Sequence, residues 1–188
     1  MFSLPLLGAT AALPRAYCVP DQPVYSPHFM LLKPDRTILT ERMLPLFREN
    51  KKDVFDMDTM NTVLGPSSLV IPHRPWTMLS GEFFRTDEEH RLYLGLSKTD
   101  QVEWDAEREL AKAKTVHFSD WPIPKPWVLT DPRWTEQEAP KCKDSRYQTN
   151  STVMIGTDCR DRNAWLGLRQ EFAKRRRVSR FPCLRLVV

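Results

Sequence analysis

The chain alternates short apolar runs bounded by prolines with longer stretches in which apolar residues recur every three or four positions. Leu13-Pro14-Arg15-Ala16-Tyr17-Cys18-Val19 predicts a short strand entering a loop. Ser26 to Pro34, an apolar run closed by prolines, predicts a second strand. After Asp35 the period changes. Ile38, Leu39, Met43, Leu44 and Phe47 recur through a charged background, which predicts an amphipathic helix with Asp35 as N-cap and a kink or early end at Pro45. Val54 to Gly65 predicts a short helix capped by Asp56 or Asp58 and ending at Gly65. On it Asp58 and Asn61 share one face, and Met57, Met60 and Leu64 take the core side. Ser68 to Pro72 predicts a third strand and Thr115 to Phe118 a fourth. Between them Ala106 to Lys114 predicts a helix, with Leu110 and Ala111 facing in and Glu107, Glu109, Lys112 and Lys114 facing out. Residues 128–158 lack periodicity and read as a long loop insertion. Asp158 to Arg177 predicts a closing helix that buries Trp165, Leu166, Leu168 and Phe172. This order gives an α/β fold, a mixed sheet flanked by helices, without internal repeats.

Composition narrows the function classes. A length of 188 residues is one domain's worth, here residues 1–178 followed by an irregular tail at 179–188. Sixteen prolines against six glycines leave no glycine-rich phosphate loop. The net charge of +4 owes much to Lys174-Arg175-Arg176-Arg177 and Arg180, a basic run that suits the end of a helix. No RNA-binding aromatic motif accompanies it, so no nucleic-acid partner is expected. No run of eighteen apolar residues is present, so no membrane segment is expected within these residues. The apolar residues 1–14 lack a basic leader and are broken by Pro5 and Pro14, which makes a poor signal peptide. The four cysteines lack Cys-x-x-Cys spacing, which argues against zinc. Cys142 and Cys159 flank a polar loop and can pair in an oxidising compartment. Asn150-Ser151-Thr152 in the same loop is a glycosylation acceptor pattern, and both features point to the secretory pathway.

The densest chemistry lies in Val116-His117-Phe118-Ser119-Asp120-Trp121-Pro122-Ile123-Pro124-Lys125-Pro126-Trp127. Its prolines stiffen it, as a loop holding polar groups at fixed positions requires. An imidazole and an ammonium on such a loop suit a metal-bound diphosphate. Taken alone, it also reads as a Pro/Trp-rich structural loop with a satisfied histidine, and Asp56 and Asp58 read as caps. Arg15 reads first as a surface charge, and second as a group that meets an anionic ligand. His73-Arg74-Pro75-Trp76 and Ser80-Gly81-Glu82 follow the third strand, where an open α/β sheet offers its ligand site. A hydrolase triad of His73, Asp56 and Ser80 is disfavoured, because no nucleophile-elbow glycines surround Ser80.

Two stretches together resemble the retaining glycosyltransferases of family 8. Phe55-Asp56-Met57-Asp58-Thr59-Met60-Asn61 is similar to that family's Asp-Gln-Asp-x-x-Asn segment, and His117-Phe118-Ser119-Asp120 with Lys125-Pro126-Trp127 to its His-x-x-Gly…Lys-Pro-Trp segment. His73-Arg74-Pro75-Trp76, Leu79-Ser80-Gly81-Glu82-Phe83 and Cys159-Arg160-Asp161-Arg162 resemble a fungal branch, the glucose N-acetyltransferase 1-like proteins. The resemblance spans about residues 1 to 178. It implies a nucleotide-diphospho-sugar transferase of the GT-A fold, incomplete in this chain, and a sugar, N-acetylglucosamine in that branch, moved from a UDP-sugar donor to a glycan or glycoprotein acceptor. It implies that His117 is a ligand of a divalent metal, usually Mn2+, and that Lys125 neutralises the leaving diphosphate. Asp56 would contact the sugar near the reacting carbon. Asp58 and Asn61 would support the sugar pocket, and Gly81 would permit close backbone approach in a sugar-facing loop.

Met57 stands where many members carry glutamine, so no role of that amide transfers. The family's Asp-x-Asp metal pair is expected upstream of residue 1, as are the anchor helix of a Golgi-lumen type II protein and the first nucleotide-binding strands. The chain thus reads as the C-terminal part of a transferase domain with little activity of its own; the alternative is a non-catalytic binding module that keeps the fold and has lost turnover.

Overall fold

The structure is a computed structural model that describes residues 6, 8–49, 55–128, 131–149 and 152–178. The irregular tail at 179–188 and part of the glycosylation pattern, Asn150 and Ser151, lie outside these residues. The chain divides into two compact units. One comprises residues 1–78, 91–100 and 113–117; the other comprises 79–90, 101–112 and 118–188.

In the first unit, β1 (Ala11–Pro14) pairs antiparallel with β2 (Leu31–Leu32) and parallel with β3 (Ser68–Ile71), giving the mixed order β2-β1-β3. β1 is buried along its whole length, as expected of a central strand covered on both faces. The second strand is far shorter than the apolar run at 26–34 predicts. Tyr25 and Ser26 instead bond elsewhere, and Ser26 N–H donates to Pro14 C=O at 2.8 Å. The predicted amphipathic helix forms, with Asp35 Oδ1 accepting Thr37 N–H at 2.8 Å. Pro45 neither ends nor breaks it. A π-helical turn (Ile38–Met43) precedes α1 (Leu44–Glu49), and the longer Leu44 N–H to Leu39 C=O bond resets the ladder next to the proline, which has no N–H to give. Leu64, Val63, Met43, Ala11 and Leu13 form the core, with Tyr25, Met30, Ile38, Leu46 and Met60 packed around it.

Within the second unit, Trp165 of α6 (Arg160–Val178) is fully buried, and Phe84 packs edge-on against it at 5.6 Å. α4 (Ala106–Lys112) packs on α6 in a register rotated from the predicted one. Ala111 is exposed and Glu109 is buried. The Glu109 carboxylate is tolerable inside because Lys112 Nζ lies 3.0 Å and Arg108 Nε 3.4 Å from Oε1, with their stems reaching past it to water.

Residues 131–158 contain regular structure where the pattern predicts only loop. α5 (Pro132–Glu138) is capped by Asp131, and β6 (Lys143–Thr149) pairs antiparallel with β7 (Thr152–Asp158). β6 is polar apart from Tyr147, and the apolar residues of β7, Val153-Met154-Ile155, are consecutive rather than alternating, so no period of two is there to read. Cys142 and Cys159 form a disulfide across the open end of this hairpin, next to the Lys143–Asp158 pair. A link closing a loop of 17 residues is worth about 3 kcal/mol by chain entropy. Replacing both cysteines with alanine is therefore expected to lower unfolding free energy by about 2–4 kcal/mol in denaturant titration.

The same corner sets an acid limit. Hydrogen bonds from the Arg160 side chain and then its N–H hold the Asp158 carboxyl below its usual range, and the Arg108 N–H does the same for Asp105. A carboxyl depressed on folding contributes stability above its unfolded pKa and loses it as pH falls through the lower folded value. Melting temperature is thus expected to drop below about pH 4, with a shallower drop in Asp158→Asn.

Candidate functional site

In the first unit, α2 (Asp56–Val63) presents Asp56, Asp58 and Asn61. Asp58 Oδ2 accepts Phe55 N–H at 2.9 Å and Asp56 Oδ1 accepts Met57 N–H at 2.8 Å, so both exposed carboxylates sit on the orphan donors of the helix start. Asn61 is half-buried, and its amide is bound on both sides. Oδ1 accepts Tyr25 N–H at 2.7 Å, and Nδ2 donates to the carbonyls of Tyr25 at 2.9 Å and Met57 at 2.8 Å. Asn61 therefore pins the segment 25–28 to α2. In that segment, Ser26 Oγ and His28 Nδ1 lie 2.8 Å apart, and the His28 ring stacks on His117 at 3.7 Å and 11°. His117 lies in β5 (Val116–His117). The His28 contact joins positions far apart in sequence, and no local pattern points to it.

At the carboxyl ends of β1 and β3, the residues that follow both strands meet. Tyr17 stacks on His73 at 4.6 Å and meets Tyr93 edge-on at 5.4 Å. The His73 Nε2 and Tyr93 C=O lie 2.6 Å apart. Arg15 projects over the Tyr25 ring at 4.7 Å. Arg15, Tyr17 and His73 border a cleft of about 530 Å³. The sequence marks Arg15 and His73 but not Tyr17, whose position before Cys18 and Val19 resembles ordinary core.

In the second unit, the proline-rich loop is anchored by Asp120. Ser80 Oγ donates to Asp120 Oδ1 and Trp165 Nε1 donates to Oδ2 at 3.0 Å. Arg169 Nη1 lies 3.6 Å from the same oxygen, and Nη2 donates to Pro124 C=O at 2.7 Å. Burial pushes the Arg169 pKa down, and the Asp120 charge opposes that shift. Ser80 is thus committed to the loop, as Ser119 N–H also donates to Ser80 Oγ at 2.9 Å. Lys125 Nζ donates to Phe118 C=O, which closes the loop on itself. Gly81 N–H donates to Ser119 Oγ at 3.2 Å, and a Cβ on Gly81 would meet that oxygen at 3.2 Å, so the glycine allows the close approach. Gly81 and Ser119 border a hollow of about 240 Å³ with Glu82, Phe84 and Arg85.

The residues singled out in the sequence are therefore divided. Asp56, Asp58, Asn61 and His117 fall in the first unit, and Gly81 and Lys125 in the second. No group of three or more His, Cys, Asp or Glu able to hold a metal ion occurs among the described residues. His28 does not complete one with His117, because stacked rings direct their in-plane lone pairs along parallel planes rather than at one point. The described residues thus do not by themselves fit a metal site. No described helix is long and apolar enough to cross a membrane.

Comparison with known proteins gives consistent relatives. The chain is 37% identical over 188 residues to a glucose N-acetyltransferase 1 of Aspergillus fumigatus, covering 95% of this chain and 46% of that one. It is 33% identical over 176 residues to the protein of that name in Gibberella zeae, covering 92% and 35%. Against the Candida albicans protein of that name, identity is 27% over 128 residues, covering 55% and 27%. The chain thus spans less than half the length of these relatives. No family model and no solved structure matches it.

Proposed function

From the similarity of nearly the whole chain to glucose N-acetyltransferase 1 proteins, we propose that it is part of a retaining glycosyltransferase that moves N-acetylglucosamine from a UDP-sugar to a glycan acceptor. The observation that carries the reading is the pairing of that similarity with a loop built to hold its groups still. Asp120 fixes the loop through Ser80, Trp165 and Arg169, and Lys125 is tied back to Phe118. Transfer with retention needs little covalent help from the protein. It depends on positioning and on neutralising the departing diphosphate. Lys125 supplies the charge, with two ammonium hydrogens beyond the one given to Phe118.

His117 presents an imidazole whose place is set by His28 and, through the segment 25–28, by Asn61. Its proposed role is as one ligand of a divalent cation, which when bound would act as a Lewis acid on the diphosphate. Asp56 and Asp58, exposed at the helix start, are proposed to face the sugar. The Cys142–Cys159 disulfide supports an oxidising, lumenal compartment such as the Golgi.

Without a three-ligand group among the described residues, the isolated chain is expected to show no tight Mn2+-dependent UDP binding by calorimetry. Tight, metal-dependent binding would show that ligands in this chain suffice. The alternative reading is a non-catalytic binding module that keeps the fold and has lost turnover. In that case sugar transfer would be undetectable in the protein that carries this chain, whatever the metal.

A further inference from the structure

The cleft beyond β1 and β3 is not used by the reading above. Ligands of open α/β sheets bind in the crevice outside the carboxyl ends of the strands, and this cleft occupies that place for two parallel neighbours. Its volume of about 530 Å³ lies in the range of about 300–1,000 Å³ common to small-molecule sites. Tyr17 and His73, stacked on each other and backed by Tyr93, give it an aromatic wall that is already packed. Arg15, Asp21 and Gln22 border it, all exposed.

The chemistry of those three side chains selects the ligand. A guanidinium, a carboxylate and an amide together bring donors and acceptors in roughly equal measure and no net charge. An anionic ligand would gain from Arg15 and lose to Asp21. Sugar hydroxyls, each both donor and acceptor, match planar groups of this kind. We propose that this cleft binds a neutral oligosaccharide, with Arg15, Asp21 and Gln22 reading its hydroxyls. Assigning that glycan as the acceptor rests on the transferase reading; the binding itself does not.

The test is saturation-transfer NMR and titration of the chain with mannobiose, cellobiose and chitobiose, with inorganic phosphate as the anionic probe. At least one disaccharide is expected to bind, and Asp21→Ala and Gln22→Ala are each expected to weaken it about tenfold without moving the melting temperature, since both side chains are exposed. Arg15→Lys should weaken it too, because an ammonium cannot reproduce the planar fork. Failure of all three disaccharides to bind, binding unchanged in these variants, or phosphate binding that Arg15→Lys preserves and Asp21→Ala strengthens would each overturn the proposal. Transfer assays separate the two readings. Variant-sensitive glycan binding without any transfer by the full protein would count against the transferase and for the cleft. Transfer that is indifferent to Asp21→Ala and Gln22→Ala, with no disaccharide bound, would do the reverse.

Discussion

Asp120→Ala is expected to destabilise the unit containing α6 by about 3–5 kcal/mol, the range for breaking a buried ion pair from one side. The carboxylate is buried and is the meeting point for Ser80, Trp165 and Arg169. Its loss leaves the indole N–H and a guanidinium that is only 6% exposed without their partner. Arg169 Nη1 has no hydrogen bond among the described residues even with Asp120 present, so the ion pair is its main compensation. Asp120→Asn keeps an acceptor but removes the charge, and is expected to fall between wild type and alanine. Denaturant midpoints at constant m-value would show this order. An Asp120→Ala midpoint within about 1 kcal/mol of wild type would mean that the loop is held by its prolines alone.

Lys125→Ala is expected to lower kcat/KM for a UDP-sugar by about 10²–10³ in the protein that carries this chain, the cost of losing one preorganised charge or donor at a developing anion. The fall should be mainly in kcat, because the diphosphate gains charge as it leaves. Lys125→Arg should recover little, since the guanidinium cannot both bond the Phe118 carbonyl and present a compact charge from the same place. A loss of stability with kcat/KM unchanged would instead make Lys125 a loop anchor and nothing more. Separate measurement of the denaturant midpoint and of steady-state rates distinguishes these outcomes.

How legible these features were follows from the range of the interactions involved. The Asp35 cap, α2 and the closing helix are set by neighbours a few positions apart, and the periodicity of the sequence shows them. The stiffness of residues 116–127 is equally visible, because proline acts on its own dihedral. What holds that loop is not visible in the sequence. Asp120 meets Ser80 across 40 positions and Trp165 across 45, and nothing local to Asp120 distinguishes a buried acceptor from a surface acid. Asn61 reads from sequence as a group aimed at a pocket. In the structure it carries the backbone of Tyr25, and its bearing on His117 passes through Ser26 and His28. Glu109 fails the simple inside–outside rule because two cations on its own helix neutralise it. The β6–β7 hairpin escapes notice because β6 is almost wholly polar and the apolar run of β7, Val153-Met154-Ile155, does not alternate, whereas the Cys142–Cys159 disulfide that closes it is legible from the two cysteines that flank the segment.

The most direct test uses UDP-N-acetylglucosamine labelled in the sugar ring, with a glycan panel, Mn2+, and the full protein as wild type and His117→Ala. The account predicts ring label on a glycan, reduced at least about a hundredfold in His117→Ala. An acetyl group arriving from an acetyl donor with no movement of ring label, or ring-label transfer equal in both proteins, would contradict it.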